Sequence, residues 1–119
     1  MVIDRVVRRL RRRLDAGEPV LSSARGRLES EDRSKTVAVV LTDRRILVVD
    51  RRGEIRRAWG FAELPAEQMA MDLAAGVVRI GEEGDQVRVE GIHPVGQATA
   101  LFSLARERLA ASPPSAGSA

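Results

Sequence analysis

The 119-residue chain contains no cysteine and no tyrosine, one tryptophan, two phenylalanines and one histidine. Without thiols there can be no disulfides or thiolate metal sites, and a lone imidazole is too little for a histidine metal centre. No cofactor or metal is expected. The scarcity of aromatic mass forces an aliphatic core and leaves few surfaces on which nucleic-acid bases could stack. No apolar run approaches the roughly 18–20 residues of a membrane-spanning helix, and the arginine-rich start lacks the apolar stretch of a secretory signal. Together these absences point to the cytoplasm, with attachment to a membrane surface as the alternative.

Lysine is also nearly absent, since Lys35 is the sole lysine among the 20 basic residues. Arginine dominates throughout, and this preference by itself carries no functional weight. The net charge of +3 conceals an asymmetry: residues 1–57 hold 16 basic and 9 acidic side chains, and residues 58–119 hold 4 and 8. One end of the chain is basic and the other acidic.

What the chain does have is enough apolar material, 44% of residues, for one domain with a real core. That core is organised around Val37 to Asp50, where two β-branched and aliphatic runs flank Thr42-Asp43-Arg44-Arg45. The pattern predicts the central hairpin of an antiparallel sheet. Because both runs are apolar at nearly every position, both faces of the hairpin must be covered.

Before it, Ile3, Val6, Val7, Leu10 and Leu14 fall within one arc when each residue advances about 100°, so residues 2–16 are expected to form an amphipathic helix. Arg5, Arg8, Arg9 and Arg12 lie opposite the stripe, Arg11 and Arg13 flank it, and Gly17 with Glu18-Pro19 supplies the stop. Two readings of this segment compete. It is either a helix packed on the sheet with a solvated basic face, or a basic amphipathic helix lying on an anionic membrane or gripping an acidic partner.

Further strands are expected at Pro19–Leu28, 54–62, 69–74, 77–80 and 86–90, with a polar loop at 29–35 and turns at Asp50–Gly53 and Gly81–Asp85. Trp59 is assigned to the core. Ile92-His93-Pro94 is expected to open a last helix in which Ala98, Leu101, Phe102, Ala105 and Leu109 make one apolar stripe, sealing an open end of the sheet. Residues 112–119 read as a disordered tail.

This order of about seven antiparallel strands followed by one helix, together with Thr42-Asp43-Arg44-Arg45 leading into Ile46-Leu47-Val48-Val49-Asp50, resembles the small bacterial pleckstrin-homology-like (PH-like) domains. The resemblance covers residues 18–111 and leaves residues 1–17 outside it as a separate helix. It implies an α+β fold, a strongly bent antiparallel β-barrel or roll with a C-terminal capping helix. PH-like domains bind phosphoinositides, peptides or proteins, so the fold alone selects no function. The phosphoinositide readers carry basic residues around their first loop, where this chain has Arg25, Arg27, Arg33 and Lys35. Glu29, Glu31 and Asp32 intervene and argue against an inositol phosphate site there.

No catalytic constellation stands out. His93 beside Pro94 is expected to cap or pack, Ser22, Ser23 and Ser103 lie in no nucleophile motif, and Glu31-Asp32 and Glu82-Glu83 lie in polar turns. The expectation is a non-catalytic binding or scaffold domain with no small-molecule substrate, partnered by another protein or by a second copy of itself. Arg5, Arg8, Arg9, Arg12 and Arg13 are the candidate contacts, followed by Arg44, Arg45, Arg51 and Arg52, whose pairs sit at opposite ends of the hairpin. An anionic membrane surface is the alternative partner. Nucleic acid ranks below it, because the C-terminal half is acidic and stacking aromatics are few.

Overall fold

In the computed structural model, residues 3–28, 35–72 and 74–111 are described. The loop expected before Lys35 and the tail expected at 112–119 lie outside them. The chain is α+β: α1 (Ile3–Leu10), β1 (Val20–Leu28), β2 (Lys35–Thr42), β3 (Arg45–Asp50), β4 (Ile55–Gly60), β5 (Met69–Asp72), β6 (Val77–Ile80), β7 (Val87–His93) and α2 (Val95–Ala111). Short 3-10 turns occupy Arg11–Arg13 and Ala66–Gln68. The strands form one antiparallel sheet in the order β4-β3-β2-β1-β7-β6-β5, curled into a half-barrel whose central strand is β1.

The two-sided apolar character of the hairpin has a direct structural counterpart. Val37, Val39, Leu41, Ile46 and Val48 point into the main core with Trp59, Met69, Ile80 and Val89. Ala38, Val40, Leu47 and Val49 point the other way and are covered by Val6 and Leu10 of α1. Alternate residues of one strand thus enter two separate cores. The five aliphatics at 38, 40, 47, 49 and 10 are all fully enclosed, and burial of such side chains stabilises by up to about 1.5–3 kcal/mol each for the larger ones. On the inner side Ala98, Leu101, Ala105 and Leu109 of α2 are buried, and α2 packs on β1 and β7.

Three boundaries differ from the expectation. The first helix ends at Leu10 and a 3-10 turn follows, with Leu14 extended. Beyond the 3-10 turn Glu18 Oε1 accepts the Asp15 N–H at 3.0 Å, so this donor serves the loop and not a continuing helix. Strand β7 runs on to His93, and α2 begins only at Val95. The long β1 supplies the ladder partner, Arg25 opposite His93, with an extra β7 residue accommodated at a bulge around Gly91. Finally, β5 stops at Asp72, whose Oδ1 accepts the Ala75 N–H at 3.2 Å and turns the chain. Arg57, which breaks the apolar pattern of β4, lies at the rim, its guanidinium 5.1 Å from the Trp59 ring and 3.1 Å from Asp85.

Candidate functional site

The candidate arginines divide according to which end of the hairpin they occupy. At the β2–β3 turn Thr42 Oγ1 accepts the N–H groups of Arg44 and Arg45, both at 3.1 Å, and donates its own proton to Glu18 Oε2 at 2.7 Å. A hydroxyl is needed there because only it can accept from the turn and donate to the carboxylate together. Arg45 completes the cluster with Nε at 2.9 Å and Nη2 at 3.0 Å from the Glu18 oxygens. Burial pushes the Glu18 carboxyl up, but the bonds from Arg45, Thr42 and the Asp15 N–H, with the Arg45 charge, outweigh it and hold the pKa at about 2. The Glu18 bond in turn raises Arg45. Arg44, which is exposed, faces Asp15 at 3.4 Å and Asp43 at 3.3 Å. Both arginines of this turn are therefore held by the chain's own carboxylates.

The β3–β4 turn is different. Asp50 Oδ1 accepts the N–H groups of Arg52 and Glu54 at 2.9 and 3.0 Å, and Oδ2 faces Arg56 Nε at 3.1 Å. Burial raises the Asp50 carboxyl, yet these bonds and the Arg56 charge bring it below its ordinary value. Gly53 has φ +81°, and a Cβ there would stand 2.7 Å from Arg9 Cβ and 2.9 Å from Leu10 N. The absent side chain lets α1 rest directly on the turn. Arg9 Nη1 donates to the Arg51 carbonyl at 3.3 Å, and Arg13 reaches Glu54 at 3.9 Å.

Docking of α1 therefore joins two of the arginine groups. Arg5, Arg8 and Arg9 stay exposed on α1, Arg12 on the 3-10 turn after it and Arg51 and Arg52 on the turn beneath it, and an open depression of about 440 Å3 beside them is lined by Lys35, Thr36, Asp50, Arg51, Arg52 and Arg56. Lys35 and Arg56 were not candidates from sequence. Lys35 adjoins an acidic loop in the chain, and Arg56 sits in a strand with no mark to set it apart from Arg57.

Thr36 also borders a second depression, about 310 Å3, with Arg25, Gly26, Arg27, Gly91 and His93. It lies on the outer sheet face. His93 is exposed and accepts a bond from Arg25 Nε at its Nδ1, 3.1 Å away, so it neither caps α2 nor packs in the core. Among the described residues no group of acids and histidines could hold a metal ion, and no helix is long and apolar enough to cross a membrane.

No protein-family model and no curated protein matches the chain. Among solved structures, the C-terminal domain of an unknown protein from Leishmania infantum is similar, with a TM-score of 0.60 at 15% identity. The match covers 87% of this chain and 97% of that domain, and it is a likeness of fold.

Proposed function

We propose that the chain is a non-catalytic PH-like binding module whose basic face receives an acidic segment of a partner protein. The observation that carries this reading is the Arg9 contact to the Arg51 carbonyl, which sets the α1 arginines beside Arg51 and Arg52. Arginine suits such an interface because its fixed fork of donors meets carboxylates two bonds at a time. The non-catalytic reading is supported by the carboxyls themselves. Glu18 and Asp50, both lowered, are committed to turn-holding bonds, and His93 faces an arginine.

Membrane attachment is the weaker reading. Val6 and Leu10 are buried against the sheet, so the apolar stripe is not available to lipid, and the exposed arginines would add only about 1 kcal/mol each at an anionic surface.

The reading is tested by titrating the full chain with a glutamate-rich peptide, with phosphatidylserine vesicles and with duplex DNA at low and moderate salt. Peptide binding that weakens with salt and is lost when Arg8, Arg9, Arg51 and Arg52 become Gln supports the acidic-partner reading. Binding to vesicles or DNA alone, with none to the peptide, replaces it.

A further inference from the structure

We infer that the outer-face depression at Arg27 is a carboxylate-binding subsite, the point at which a single acidic group of the partner is anchored. The inference rests on the acidic-partner reading for the source of the carboxylate, and on different residues for its place.

Arg27 is exposed and has no ion pair among the described residues. Its cross-strand neighbour Glu90 would be the natural counter-charge, but Glu90 Oε1 instead faces Arg88 Nε at 3.3 Å. The Arg27 guanidinium leans over Gly91, where a Cβ would come within 3.6 Å of Nη2, and the φ of +58° at Gly91 keeps that position free of a side chain. On the other neighbouring strand Thr36 pairs with Arg27 in register, which puts its hydroxyl on the same face.

The third donor is set by His93. Because Nδ1 accepts the Arg25 bond, the proton of the neutral ring resides on Nε2. The β7 bulge returns His93 to this face while leaving Ile92 in the core. A guanidinium fork, a hydroxyl and an imidazole N–H thus line one open depression with no carboxylate in its lining among the described residues.

Charge selects the occupant. Arg27 contributes one positive charge that no described carboxylate meets, because Glu90 is held against Arg88. That balance suits a monoanion, and a planar carboxylate matches the Arg27 fork.

The test is a side-chain NMR titration of the full chain with two short neutralised peptides. One carries a single internal glutamate and an amidated end, and the other is all alanine with a free C-terminal carboxylate. Shifts at Arg27 Nε and His93 Nε2 are expected with at least one peptide, and which peptide acts tells a side-chain carboxylate from a chain end. Arg27→Gln is expected to weaken binding roughly tenfold, whereas Arg51→Gln with Arg52→Gln leaves this contact unchanged. Thr36→Val, a second probe, should weaken it less. No shift with either peptide, or shifts confined to Arg51 and Arg52, overturns the inference while leaving the larger basic face as the partner site. Saturation by inorganic phosphate well below the carboxylate concentrations needed also overturns it.

Discussion

Arg45 and Glu18 form a two-bond ion pair in which the Glu18 side chain is fully enclosed and the Arg45 side chain is about a quarter exposed, at 23%. The pair joins the chain just after the first helical segment to the start of β3, and Thr42 ties both to the hairpin turn. Removing one member leaves the other charge without its partner.

Arg45→Met is therefore expected to destabilise the fold by about 3–5 kcal/mol, read from the urea midpoint. Combining it with Glu18→Leu should recover part of that loss, because no buried carboxylate is then left unmatched. A double variant as unstable as the sum of the two singles would show that the pair is not coupled.

Acid should weaken the fold through the same carboxyl. Glu18 has its pKa lowered from 4.5 to about 2, so its contribution is complete above the unfolded-state value and is lost as pH falls through the folded one. Asp50, also lowered, acts in the same direction. Stability measured from pH 6 down to pH 2 should fall mainly below about pH 4.5, and Glu18→Gln should flatten the profile.

Gly53→Ala places a methyl group against Arg9 and Leu10 in a backbone conformation that resists it. A cost of about 1–3 kcal/mol is expected, accompanied by faster hydrogen exchange over Ile3–Leu10. Unchanged exchange there would mean that α1 does not depend on the turn beneath it.

The two faces of α1 should behave oppositely. Leu10→Ala removes a fully enclosed side chain from the outer core and should cost about 2–5 kcal/mol. Replacing Arg5, Arg8, Arg9 and Arg12 by Gln should leave the thermal midpoint nearly unchanged and remove salt-sensitive binding of the acidic peptide. If the quadruple variant unfolds, the basic face serves the fold and not a partner.

Much of the architecture is written in local patterns. The unbroken apolar runs at Val37–Leu41 and Ile46–Val49 required cover on both sides, and two cores meet them. Ala98, Leu101, Ala105 and Leu109 recur at helical spacing and lie buried along α2. Glu18 was less legible, since Glu-Pro after glycine reads only as a helix stop. Its burial depends on Thr42, 24 residues away, and on Arg45, 27 residues away.

Site residues were harder to read than core residues because charge carries no periodicity of its own. The sequence alone determined that the surface would be arginine-rich, that its positive charge would gather in the first half, and that α1 would have one apolar and one basic face. Only the tertiary structure decided which arginines lie together. Docking of α1 on the hairpin and the glycine at position 53 bring Arg9 to Arg51, 42 residues on, and the β1–β7 ladder brings Arg25 to His93, 68 residues on. The same folding holds Arg44 and Arg45 against Asp15 and Glu18. The physical reason is that an arginine looks the same in sequence whether or not a carboxylate meets it. Strand register and helix docking set the few ångströms that separate a structural ion pair from an exposed binding group.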